Sequence, residues 1–204
     1  MAEAVGIGVS YKCGNVGRLV LRENGVKGVK MKDGSVYKVD TVLLATGAWT
    51  SEILSAMEDG LNVKEEERVE RQITAAGFHR TAIRMVPEKL QQETLDAIVA
   101  KLFLNYVQRT PEYWRMCWDS VMPAQDQLVT KYPYSRLQNL YLAVGGSFQS
   151  WKFLPIIGEY VVNVLNGVGN GEEKDRRWAW KVEKPEGWGA HEKVVLRRDL
   201  SDLE

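Results

Sequence analysis

The stretch Asn139-Leu-Tyr-Leu-Ala-Val-Gly-Gly-Ser-Phe-Gln-Ser-Trp-Lys-Phe-Leu-Pro-Ile-Ile-Gly158 passes from an apolar strand through a glycine turn into a helix opened by Lys152 and Pro155. A strand ending in small residues lets backbone N–H groups approach a ligand, and the helix N-terminus behind it adds partial positive charge. That order points to an α/β fold with a cradle for a cofactor phosphate or ring at the end of the strand. A second stretch agrees with it. Thr41-Val-Leu-Leu-Ala45 has no polar alternation, reads as a parallel strand covered on both faces, and is closed by Thr46-Gly47.

Around these two strands the chain divides by pattern. Val5 to Tyr11, Arg18 to Arg22, Val26 to Met31 and Val36 to Val39 are short apolar or alternating runs, expected as strands of an antiparallel meander. Asn24-Gly25 and Asp33-Gly34 are the hairpin dipeptides between them, read as type I′ turns. Trp49 to Met57 reads as a helix with Thr50 or Ser51 as its N-cap. Lys64-Glu-Glu-Glu-Arg-Val-Glu-Arg71 reads as solvated surface. Pro87 to Tyr106 carries Leu95, Ile98, Val99, Leu102, Phe103 and Tyr106 at helical spacing, a stripe expected to pack in the core. Tyr113 to Ser120, Gln127 to Tyr132 and Leu140 to Val144 are expected strands, Lys152 to Leu165 a helix, and everything from Val168 a polar tail.

Bulk properties narrow the function classes. The 27 basic and 27 acidic residues balance, so nothing calls for nucleic acid or an anionic membrane. No apolar run approaches the roughly 18 residues a membrane helix requires, and no basic segment followed by an apolar one opens the chain. The two cysteines, Cys13 and Cys117, are ordinary usage for a reducing compartment. The terminal Ser-Asp-Leu-Glu is not a Ser-Lys-Leu peroxisomal address, so the cytoplasm is the expected location. His79 and His191 are isolated, and no metal site is expected. Gly6-Ile-Gly8-Val-Ser-Tyr11 begins like a dinucleotide fingerprint but has Tyr11 at the third glycine's place and no strand before it.

Taken together, Asp40-Thr-Val-Leu-Leu-Ala-Thr-Gly-Ala-Trp49, Arg115-Met-Cys-Trp-Asp119 and Ser147-Phe-Gln-Ser-Trp-Lys-Phe153 resemble the C-terminal half of a fungal FAD-dependent amine oxidase. The resemblance is to the D-amino-acid oxidase superfamily, in the group of sarcosine, fructosyl amino acid and saccharopine oxidases. It implies FAD as cofactor, with Ala45, Thr46, Gly47 and Trp49 at its second dinucleotide motif and Val16 at the backbone contact to adenine. Gly145, Gly146, Ser147, Gln149 and Ser150 would form the turn against the ring. Lys152 matches in register a lysine that holds the substrate carboxylate over the flavin, and is the implied catalytic residue. By its residue environment alone Cys117 would be a buried, inert cysteine; the resemblance implies instead covalent attachment to the flavin. Phe148, Gln149 and Ser150 stand where the family has Gly, His and Gly, and Val121-Met122-Pro123-Ala124-Gln125-Asp126 loosens a Thr-Pro-Asp-like stretch.

The implied fold is mixed α/β. Residues 1–60 and 138–167 would make a partial Rossmann-like FAD-binding domain, 61–137 an inserted antiparallel substrate-domain segment, and 168–204 a surface or partly disordered tail. Family members begin with a strand, a GxGxxG turn and a helix that hold the ADP portion of FAD. The chain lacks these, along with the strands that carry an oxygen-activating lysine, so it is expected to be a truncated form. Alone it should hold FAD weakly or not at all unless a partner chain supplies the first half. The implied reaction is oxidation of the C–N bond of a secondary amine or N-substituted amino acid by O2, giving H2O2. The alternative is an inactive fragment, or an interaction module that pairs through an open sheet edge.

Overall fold

A computed structural model describes residues 2–64, 74–75, 86–114, 120–122, 126–146 and 150–180. The first expected strand, Val5 to Tyr11, is not one. A single-turn helix α1 (Ala2–Gly6) takes its start, and the chain then runs exposed to residue 15. Gly8 at φ +101° explains the change: it lets its own N–H reach Val5 O at 3.0 Å and the Val9 N–H reach Ala4 O at 3.0 Å, a left-handed helix stop that an extended strand does not permit.

The meander then forms as expected from β1 (Val16–Arg22), β2 (Gly25–Met31) and β3 (Val36–Lys38), paired antiparallel in the order β1-β2-β3. Its first turn is not the expected one. Arg22 pairs with Gly25, so Glu23 and Asn24 occupy the loop, and Asn24 has no positive φ. Gly25, at φ +157°, is also selected by space, because a Cβ there would meet Asn139 Oδ1 at 2.4 Å. In the second turn the Asp33 carboxylate accepts the Ser35 N–H at 2.9 Å and its hydroxyl at 2.7 Å, and these bonds hold its pKa below the usual value.

A second sheet is assembled from distant sequence. Strand β4 (Val42–Leu44) lies parallel to β8 (Leu140–Val144), with Val42 opposite Leu140 and Leu44 opposite Leu142. β7 (Leu128–Lys131), expected inside the inserted segment, pairs antiparallel on the other side of β8, giving the order β4-β8-β7. Val42, Leu44, Leu140, Leu142 and Val144 face the core and Leu43 faces out, so β4 is covered on one face rather than two. A short ribbon pairs β5 (Thr74–Ala75) with β6 (Ser120–Val121); residues 115–119 of the strand expected over Tyr113 to Ser120 lie outside the described residues.

Leu54 and Met57 of helix α2 (Thr50–Gly60) close the core against this sheet, together with Leu19 and Val26 of the meander and Leu137. Neither Thr50 nor Ser51 caps α2. A 3-10 turn over Gly47–Trp49 leads straight in, and the Thr50 hydroxyl meets that of Thr46 at 2.7 Å. At the other end of α2 the fully buried Glu58 accepts the Tyr132 hydroxyl at 2.5 Å.

Asn139, just before β8, joins the two sheets. Its Oδ1 accepts the Val26 N–H at 2.7 Å, and its Nδ2 donates to Val26 O and Asp40 O, both at 2.6 Å.

The helix expected over Pro87 to Tyr106 is interrupted. α3 (Glu88–Thr94) gives way to a π-helical turn over Leu95–Val99, then α4 (Ala100–Leu102) and a 3-10 turn over Leu104–Tyr106. The Thr94 hydroxyl donates back to Leu90 O at 2.7 Å at the junction, the local competition that bends helices. Its stripe does not enter the core: Ile98, Leu102, Phe103 and Tyr106 are exposed, Leu102 by 72%.

The final helix α5 (Ile157–Leu165) begins five residues after Lys152, which lies in a separate 3-10 turn over Ser150–Phe153. Within the polar tail, residues Glu172–Trp178 form helix α6. Trp178 is buried against Tyr160 and Phe153, with ring centroids 5.1 and 6.1 Å away, and Trp180 donates its indole N–H to Lys131 O at 3.1 Å. Amphipathic anchors with a polar tip, rather than an apolar run, fix this segment.

Candidate functional site

β4 and β8 run parallel, so their carboxyl ends open on the same side of the sheet. Parallel α/β sheets bind ligands at that edge because the turns there carry unpaired backbone N–H groups toward helix starts. Each strand is followed by a glycine at positive φ, Gly47 at +53° three residues past β4 and Gly145 at +72° directly after β8. Among the described residues nothing lies within 4 Å of where a Cβ on Gly47 would be, whereas one on Gly145 would strike Met122. The first turn therefore faces open space, and the second is held down by a packed side chain.

Gly146 and Ser150 tighten the second turn. The Ser150 N–H donates to Gly146 O at 3.0 Å, and the Ser150 hydroxyl lies 3.1 Å from the same carbonyl. That hydroxyl also donates to Gln127 Oε1 at 2.8 Å. Gln127 is only 7% exposed, and its Nε2 is enclosed with no acceptor among the described residues. Leu128 faces Val144 in the β7–β8 register, so Gln127 falls opposite Gly145, at the same edge.

Of the residues singled out from sequence, Ala45, Thr46 and Gly47 stand at the end of β4, and Gly145, Gly146 and Ser150 at the end of β8. Trp49 ends the 3-10 turn after Gly47 and is exposed. Lys152 is exposed, its Nζ 5.3 Å from the Phe153 ring centroid. Val16 sits elsewhere, at the start of β1 opposite Met31. Cys117, Ser147 and Gln149 lie outside the described residues, as do Arg115, His79 and His191. Gln127 was legible only as the start of a strand; its place in the site depends on the antiparallel register of β7, which no local motif records.

Among the described residues no group of three or more His, Cys, Asp or Glu could hold a metal ion, and no helix is long and apolar enough to cross a membrane. No family model matches the chain. Over 69 residues it is 36% identical to L-saccharopine oxidase of Schizosaccharomyces pombe (strain 972 / ATCC 24843), a match covering 34% of this chain and 15% of that protein. Among solved structures it is similar to a thermally stable mutant of fructosyl peptide oxidase, with TM-score 0.69 and 19% identity, over 98% of this chain and 61% of that one. An Amadoriase I mutant from Aspergillus fumigatus matches with TM-score 0.67 and 18% identity, over 90% of this chain and 53% of its own. The chain thus spans little more than half the length of these structures, and over that span it has the mixed α/β fold of the fructosyl peptide oxidases and amadoriases, the resemblance expected from its motifs.

Proposed function

We propose that this chain is the ring-holding part of an FAD-dependent oxidoreductase that oxidises the C–N bond of a secondary amine or N-substituted amino acid, with O2 reduced to H2O2. The observation that carries the reading is the pair of glycine turns, Gly47 and Gly145, at the shared carboxyl edge of β4 and β8. Backbone at positive φ with open space over Gly47 fits a flat cofactor, since any side chain there would occupy the ligand's place. The local identity with L-saccharopine oxidase and the fold shared with fructosyl peptide oxidases support an amine substrate.

When bound, FAD supplies the hydride acceptor and the route of electrons to oxygen. The residues Ala45 to Gly47 and the turn at Gly145 and Gly146 would offer it backbone N–H groups. Trp49 would cover it and Val16 would meet the adenine. Lys152, with a compact ammonium group on a flexible stem, suits a substrate carboxylate. Cys117 is the residue proposed to bond the ring, a role that rests on its Cys-Trp context in the sequence. The amine loses a hydride and a proton to become an imine, which water hydrolyses.

The test is to supply purified residues 1–204 with FAD, precipitate in acid and measure the flavin absorbance left on the protein. Attached flavin that disappears in Cys117→Ala supports the reading, and amine-dependent H2O2 release then defines the substrate. The second reading, an interaction module without its own redox chemistry, is favoured by the outer edge of β4, which pairs with no strand among the described residues, and by the exposed stripe from Ile98 to Tyr106. A chain that takes up no FAD alone shows that an N-terminal half is required, and one that takes up none even with such a half supplied as a second chain selects the module.

A further inference from the structure

We propose that the side-chain amide of Gln127 is a ligand-facing hydrogen-bond donor that reads a carbonyl oxygen on the flat heterocycle held at the Gly145–Gly146 turn. This deepens the flavin reading above and rests on it. The occupant's chemistry is a planar ring edged with carbonyl acceptors, which the pyrimidine side of a flavin supplies.

Three observations converge on the residue. Gln127 is 93% buried by its 7% exposure, yet its Nε2 has no acceptor among the described residues. An amide N–H removed from water without an acceptor opposes folding, so such a group is retained where something else fills the gap. The Ser150 hydroxyl donates to Oε1 at 2.8 Å, which leaves the NH2 as the half of the amide still to be matched. Finally, the β7–β8 register puts the residue opposite Gly145, at the edge where the parallel strands end. Ser150 stands where the resembling family has glycine, so the Ser150–Gln127 pair belongs to this chain's own version of the turn. A backbone carbonyl of the turn taking the same N–H would make Gln127 purely structural, and experiment separates the two.

The proposal is tested by titrating FAD into purified residues 1–204, read by quenching of flavin fluorescence, in the wild type, Gln127→Met and Gln127→Glu. Thermal midpoints of the three FAD-free proteins are measured alongside. Methionine keeps the volume without a donor; glutamate keeps the acceptor for Ser150 and loses the N–H. The expected result is about tenfold weaker FAD binding in both variants, the worth of one such hydrogen bond, with a methionine midpoint equal to or above wild type. Equal affinity in all three proteins, or a methionine midpoint several degrees lower with affinity unchanged, would overturn the donor role and leave the flavin reading intact. A wild type that never quenches FAD, alone or mixed with an N-terminal FAD-binding half supplied as a second chain, overturns the flavin reading and this proposal with it.

Discussion

Replacing Asn139 with alanine removes the side chain that joins the meander to the parallel sheet. β3 pairs with β2 only from Gly28 onward, so at Val26 the Asn139 amide stands in for the next strand. Val26 is fully buried, and truncation strands both its N–H and its C=O. Each buried orphan costs about 1–3 kcal/mol, while the bond to the exposed Asp40 carbonyl is replaced by water at little cost. The expected loss is about 3 kcal/mol, a large share of the roughly 5–15 kcal/mol that holds a domain together. Urea denaturation should show this as a lower midpoint at unchanged slope. Gly25→Ala should act through the same contact, since its Cβ would sit 2.4 Å from Asn139 Oδ1. In the Asn139→Ala background that obstacle is gone, so the double mutant should recover about 1–2 kcal/mol relative to additivity. An Asn139→Ala cost below about 1 kcal/mol, or strict additivity with Gly25→Ala, would refute the clamp.

Tyr132→Phe takes a hydroxyl donor from the fully buried Glu58 and should cost about 2 kcal/mol; equal stability by urea denaturation would show that the bond carries no net weight. α6 separates packing from charge. Trp178→Ala should cost about 3–5 kcal/mol, whereas Arg177→Gln, which breaks the 2.6 Å contact to Asp126, should cost under about 1 kcal/mol because Arg177 is half exposed. Calorimetry on both variants checks the ranking, and the reverse order would place the anchor in the ion pair. The Asp33 carboxyl should titrate by NMR below the ordinary 3.8, and Ser35→Ala should raise that midpoint. The sign follows from a depressed folded-state pKa: the turn's stabilisation is present above about pH 4 and lost as pH falls through the folded value. An unchanged Asp33 midpoint in Ser35→Ala would remove the cause assigned here.

What the sequence disclosed and what it withheld follow from the range of the interactions concerned. The meander and both parallel strands were legible because alternation, apolar runs and turn residues are local, and β1, β2, β3, β4 and β8 fall within a residue or two of expectation. Val5 to Tyr11 alternates equally well, but alternation does not supply a neighbouring strand, and Gly8 stops a helix there instead. The 95–106 stripe has the right period for a core helix, yet period records only which residues share a face. What covers that face is a property of other elements, and here Ile98, Leu102 and Phe103 meet solvent. The candidate site divides the same way. Gly47 and Gly145 were visible because positive φ selects glycine at a strand's end. Gln127 and Asn139 were not, because each acquires its role from an element far away in the chain: Gln127 from the β7–β8 register that sets it opposite Gly145, and Asn139 from a strand 113 residues earlier. Polar residues whose partners are nonlocal carry no periodic signature, so in this chain they mark where sequence reasoning ends and the folded edge of the sheet begins to decide chemistry.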